Sequence, residues 1–182
     1  MASVTIETPR MILRPWRTED YEPYAALNAD PDVRRYWPAT LSREESDAEA
    51  AWLQKYIEEH GFGFWAAEVP GVASFIGFIG LKHVGPELPF APAIEAGWRL
   101  ARKYWGHGYA TEGAQASLAD GFGRLGLKEI VAYAVSANVP SRRVMERIGM
   151  RHDPADDFDS KDRTPNDPHR RHVVYRKRGN ER

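Results

Sequence analysis

The run Trp105-Gly106-His107-Gly108-Tyr109-Ala110-Thr111-Glu112 constrains this chain more than any other segment. It follows a strand-like stretch, Ala93–Leu100, and opens a helical stripe of Ala110, Ala114, Leu118, Phe122 and Leu125, closed by Gly126. Gly106 and Gly108 permit a tight turn and let a ligand approach the backbone with no Cβ in the way. The first turn of a helix leaves backbone N–H groups unpaired, and its dipole favours negative charge. A pyrophosphate is the natural occupant of such a terminus.

Other phosphate loops fit less well. A dinucleotide fingerprint needs a third glycine where Thr111 stands, and a P-loop needs a Gly-Lys-Ser/Thr sequence that does not occur. A kinase-type glycine loop joins two strands, whereas this one runs into a helix. The competing structural reading is a glycine-rich turn that merely starts a helix.

The rest of the chain reads as mixed α and β. Arg10–Pro15 is an opening strand with Met11 and Leu13 on one face. Thr18 offers an N-cap for a helix ending near Ala29–Asp30, before Pro31, and Asp32–Tyr36 suggests one further helical turn. Ser42-Arg43-Glu44-Glu45 is a capping box. The helix it starts carries Ala48, Trp52 and Tyr56 as its apolar stripe and ends by Gly61. Gly63–Val69 and Ser74–Val84 read as strands joined at Pro70-Gly71, and Pro86, Pro89 and Pro92 keep the next stretch irregular. Lys128–Val135 is a strand, Pro140–Ile148 a helix with Gly149 at its end, and His172–Lys177 a closing strand after an Asp-rich excursion. The order predicts one domain over residues 1–182, built on a single mixed α/β sheet.

Composition narrows the function classes. With 25 Lys plus Arg against 26 Asp plus Glu, the formal charge is −1, which offers no basic field for nucleic acid or membrane. The absence of cysteine excludes disulfides, thiolate metal sites and a cysteine acyl-enzyme. No ligand spacing among the six histidines implies a metal. No apolar run reaches membrane-spanning length and the N-terminus lacks a signal-peptide pattern, so a soluble, cytoplasmic monomer or homodimer is expected.

Residues 94–113, Ile-Glu-Ala-Gly-Trp-Arg-Leu followed by Tyr-Trp-Gly-His-Gly-Tyr-Ala-Thr-Glu-Gly, resemble the signature region of the GNAT superfamily of N-acetyltransferases. More narrowly, they resemble the branch of RimJ/RimL ribosomal-protein N-terminal acetyltransferases. Asn138-Val-Pro-Ser141 with Arg143-Val-Met-Glu-Arg-Ile-Gly149-Met150 is a second matching block. Thr8-Pro-Arg-Met-Ile-Leu-Arg14 and His172-Val-Val-Tyr175 also fit, so the likeness spans nearly the whole chain. It implies a central, mixed but mostly antiparallel, twisted sheet with helices on both faces, and acetyl-CoA as co-substrate. In the family's pyrophosphate pattern, Gln/Arg-x-x-Gly-x-Gly/Ala, Gly108 and Ala110 match while Trp105 replaces the Gln or Arg.

By the same resemblance, Trp98, Arg99 and Leu100 pair through their backbone with the pantetheine arm. Gly106, His107, Gly108, Tyr109, Ala110 and Thr111 hold the pyrophosphate, His107 either by side-chain contact or only by facing solvent. Gly97 is either a bulge that turns an N–H toward the thioester oxygen or a glycine that relieves crowding. Asn138 and Ser141 contact cofactor, Ser141 donating to the sulfur, or else cap the helix they precede. Glu95 is the candidate base, acting through water, or else a carboxylate paired to a nearby Arg. Many GNAT enzymes carry a Tyr as thiolate acid where Met145 stands, and Tyr104, Tyr109 and Tyr133 are possible substitutes. With no cysteine, an amine acceptor attacks directly in a ternary complex. That acceptor is a protein N-terminal α-amine or a small-molecule amine. A silent acyl-CoA-binding sensor and a nucleotide-binding domain unrelated to CoA are the alternatives.

Overall fold

The computed structural model describes residues 4–179. Its strands are β1 (Ile6–Glu7), β2 (Ile12–Arg14), β3 (Phe64–Val69), β4 (Ala73–His83), β5 (Ile94–Leu100), β6 (Glu129–Val135), β7 (Arg151–His152), β8 (Phe158–Asp159) and β9 (Arg171–Arg178). The helices are α1 (Tyr21–Ala29), α2 (Arg43–His60), α3 (Tyr109–Gly123) and α4 (Val139–Arg147). The strands form one open sheet in the order β1-β2-β3-β4-β5-β6-β9-β7, with β8 also on β9. Every pairing is antiparallel except β5 with β6.

β4 is the spine. Its run from Phe75 to Leu81 is buried throughout, as suits a strand covered on both faces. Alternation sends Phe78, opposite Arg99, toward α1 and α2, where Tyr24 packs on it edge-on. Ile79, opposite Trp98, points to α3. There Gly113 and Gly121 let α3 sit low on the sheet: a Cβ on Gly113 would come within 2.5 Å of Ile79 Cδ1, and one on Gly121 within 2.7 Å of Leu81 Cδ1.

Local readings fail where a side chain competes with the expected backbone pattern. Thr18 does not cap α1; a 3-10 turn, Thr18–Asp20, precedes the helix. Buried Asp20 accepts from the Arg17 N–H at 2.8 Å and from two nitrogens of Arg14 at 2.8 Å each. Asp32–Tyr36 forms turns rather than a helical turn, because Asp30 Oδ1 takes the Asp32 N–H at 2.8 Å. Ser42 caps α2 through the expected box, but Ala48 and Trp52 lie on its exposed side. The covered side is Ser46, Ala50, Leu53, Tyr56 and Ile57. Small residues there let α1 approach, so that Asn28 reaches Ser46 Oγ at 3.0 Å. The Asp-rich excursion is pinned down by ion pairs, among them His152–Asp157, Arg176–Asp156 and Arg163–Asp167.

Candidate active site

β5 and β6 run parallel but share a single register pair, Glu95 with Val131, and then part. Beside the C-terminal half of β5, the α3 N-terminus, the α4 N-terminus and the turn after α1 enclose a cavity of about 360 Å³. Trp98, Arg99, Leu100, Gly106, Gly108, Tyr109, Ala110, Thr111, Asn138 and Ser141 all line it. His107 does not. Its Nδ1 sits 2.8 Å from the Trp105 carbonyl and its ring stacks on Tyr109, leaving it exposed on the outside of the loop.

Gly106 and Gly108 both lie in the left-handed region, with φ of 77° and 82°. This brings the chain into α3 with Gly108 as N-cap, and the first helical bond runs from the Glu112 N–H to the Gly108 carbonyl at 3.0 Å. The N–H groups of Tyr109, Ala110 and Thr111 therefore have no helical partner at the cavity wall. Trp105, where the family places Gln or Arg, instead ties the loop to β5: its Nε1 donates to the Leu100 carbonyl at 2.8 Å.

A strap that sequence reading missed holds this terminus from outside. Arg10 gives Glu112 its backbone N–H at 2.9 Å and its Nε at 2.6 Å, and Thr8 Oγ1 donates to the same carboxylate at 2.7 Å. Arg10 Nη1 also donates to the His107 carbonyl at 3.0 Å. Burial opposes ionisation of Glu112, but the hydrogen bonds from Thr8 and Arg10 outweigh it and hold the carboxyl below its usual range. The only local signal was an acidic residue in the first turn of α3.

On the opposite wall, Asn138 Oδ1 accepts the Ser141 N–H at 3.2 Å, so the capping reading of Asn138 holds. The Ser141 Oγ makes no hydrogen bond among the described residues. Arg143 and Arg147, one turn apart on α4, line the cavity and form no ion pair among the described residues. Met145 points the other way, 2% exposed in the core, so this position does not face the cavity at all.

Glu95 lies outside the cavity lining, 8% exposed, on the same face of β5 as Arg99. Its partner is Lys82, at 2.7 Å, rather than an arginine. Burial raises its pKa, while Lys82 and the neighbouring Tyr133 hydroxyl oppose the rise without cancelling it. Gly97 sits in regular register opposite Gly80, with no bulge; a Cβ there would meet the Phe64 ring at 2.6 Å, so the glycine relieves crowding. Of the tyrosines, Tyr104 and Tyr109 line the cavity, and Tyr133 adjoins Glu95.

Residues 10–151 match the model of the acetyltransferase (GNAT) domain. The chain belongs to the GNAT acetyltransferase family. This GNAT protein is an acetyl-CoA-dependent N-acetyltransferase. Among the described residues, the first α3 N–H groups have no helical partner and Arg143 and Arg147 no ion pair, so this wall of the cavity suits an anion. It is 31% identical to YkkB of Bacillus subtilis over 82% of this chain and 86% of that one. It is also 31% identical to an FsC-acetyl coenzyme A-N(2)-transacetylase of Aspergillus fumigatus, over 83% of this chain and 66% of that one. Among solved structures, a GNAT-family acetyltransferase from Bacillus anthracis superposes with a TM-score of 0.80 at 27% identity, covering 98% of this chain and all of the other. A ribosomal-protein-S5-alanine acetyltransferase from Vibrio fischeri shares the fold, with a TM-score of 0.70 at 16% identity, over 98% of each chain. No helix among the described residues is long and apolar enough to cross a membrane.

Proposed function

We propose that this GNAT protein transfers the acetyl group of acetyl-CoA to a primary amine by direct attack in a ternary complex. The observation that carries this reading is the one cavity that places the N–H groups of α3 without a helical partner beside the C-terminal half of β5, beyond its single register pair with β6. Phosphates rest on the backbone of Gly106–Thr111, with Arg143 and Arg147 facing them. The backbone of Trp98–Leu100 receives the pantetheine arm.

Glu95 takes the amine proton through water, since it stands back from the cavity. A raised pKa makes it a stronger base than an ordinary carboxylate and better matched to an amine. Ser141, whose hydroxyl has no competing partner among the described residues, donates toward the departing sulfur. The RimJ/RimL-like blocks favour a protein α-amine as acceptor; a small-molecule amine is the other acceptor class, and the Aspergillus relative is named for N(2)-transacetylation.

The test is CoA release from acetyl-CoA with N-terminal peptides, lysine peptides, amino acids, polyamines and aminoglycosides, run beside direct acetyl-CoA binding. Turnover with one class is expected. Tight binding without turnover on any amine would point instead to an acyl-CoA sensor.

A further inference from the structure

The Asp-rich excursion between β7 and β9 supplies no residue to the cavity, yet its tip is built around one arginine that reaches toward it. Arg163 Nη1 pairs with Asp167 at 3.0 Å, and Nη2 donates to the Tyr36 carbonyl at 2.9 Å, across 127 residues of chain. The Arg163 side chain is only 14% exposed, and two bonds from one planar fork fix its orientation. Asp167 also shapes the turn that carries it. Its Oδ1 accepts the His169 N–H at 2.7 Å, and its own N–H donates to the Thr164 carbonyl at 3.0 Å.

The segment that Arg163 grips is a wall of the cavity. Asp32, Val33, Arg35, Tyr36 and Trp37, from the turn after α1, all line it. Asp32 ties the start of this segment to Arg102, in the turn leading from β5 to α3. Tyr36 ties its other end to the turn between β6 and α4, its hydroxyl donating to the Ala137 carbonyl at 3.3 Å. Ala137 directly precedes Asn138, which caps α4 and lines the cavity. The segment thus bridges the gap left where β5 and β6 part. From Arg35 to Thr40 only Tyr36 is even partly covered, so the stretch has little buried surface to hold it. Of the two hydrogen bonds at Tyr36, the one from Arg163 is shorter and charge-assisted, hence the stronger.

Resting on the acetyl-CoA reading above, we infer that Arg163 is a positioning residue for that site, holding the 32–37 segment over the cavity through Tyr36. Arg163 does not line the cavity, so it acts by fixing the wall rather than by meeting a ligand there. A wall already in place loses no freedom when acetyl-CoA arrives, and ordering it on binding would subtract from the affinity. The excursion is then a buttress for the site, with Asp167 keeping Arg163 aimed at Tyr36.

The deciding experiment titrates acetyl-CoA calorimetrically into wild type, Arg163→Ala, Arg163→Lys and Asp167→Asn. Amide hydrogen exchange without ligand is followed in the same proteins over residues 35–40 and over β4. Arg163→Ala should weaken acetyl-CoA binding by about 3- to 10-fold, the worth of one hydrogen bond. It should speed exchange at 35–40 and leave β4 unchanged. Arg163→Lys, which can still donate to the Tyr36 carbonyl, should recover part of the affinity, and Asp167→Asn should lose less than Arg163→Ala. Should Arg163→Ala fail to fold, the Lys and Asn variants carry the same comparison with wild type. Unchanged affinity in the folded variants, or faster exchange that extends through β4, would overturn the positioning role and leave the acetyl-CoA site standing. No binding to wild type would overturn the site and the role of Arg163 with it.

Discussion

Lys82 and Glu95 face each other across the β4–β5 pairing, with Nζ 2.7 Å from Oε1. Burial pushes the Glu95 carboxyl up, and Lys82 is the main force holding it down. The base must be deprotonated to act, so kcat/KM should fall as pH drops through a value above the ordinary glutamate range. Lys82→Met removes the opposing cation and should move that limb to higher pH. Glu95→Gln should remove the limb and lower kcat on the order of 100-fold. A Lys82→Met limb that stays put or moves down would count against Glu95 as the base.

The Arg10–Glu112 clasp holds the N-terminus of α3, the phosphate site proposed above, from outside the cavity. Arg10→Ala or Glu112→Gln should raise the KM for acetyl-CoA by roughly 3- to 10-fold with kcat little changed, the pattern of lost uniform binding. Arg10 is half-exposed, with 49% of its side chain open to solvent, so the effect should shrink in high salt. An unchanged KM in both variants would leave the strap with a purely structural role.

Arg143 and Arg147 belong to the cavity by charge as well as position. The double substitution to Gln should weaken acetyl-CoA binding and flatten its salt dependence, measured by calorimetry across ionic strength. Loss of affinity with the wild-type salt slope retained would assign the cations elsewhere.

Gly113 is a packing residue, 2.5 Å from Ile79 Cδ1 and 2.8 Å from Met11 Cε if given a Cβ. Gly113→Val should destabilise the fold by about 1–3 kcal/mol through overpacking. Chemical denaturation checks this; an unchanged or raised midpoint would mean that α3 can lift off the sheet freely.

The six strands longer than two residues and the glycine turn into α3 were legible because their signals are local, whereas the two-residue strands β1, β7 and β8 carry too little pattern to read. Gly106 and Gly108 need no partner to announce a left-handed turn, and the Ser42–Glu45 box is written within four residues. What escaped depends on contacts across the fold. The Arg10–Glu112 clasp joins residues 102 apart, and the partner of Glu95 is a lysine because β4 and β5 pair in that register. The covered side of α2 was misread because Trp52 outweighs Ala50 in an apolar pattern, although packing against α1 requires the smaller residue. Met145 aligned with a catalytic position in sequence, but the rotation of α4 buries it.

The most direct test is calorimetric titration of acetyl-CoA into wild type and Gly108→Val, with thermal melting as the control for folding. A valine at φ 82° is strained, and its Cβ would stand 3.3 Å from Arg10 Nη2, so the α3 terminus must distort. One site per chain in wild type, weakened at least about tenfold in a folded Gly108→Val, is the predicted result. Equal affinity in the two proteins would contradict an acetyl-CoA site at the N-terminus of α3.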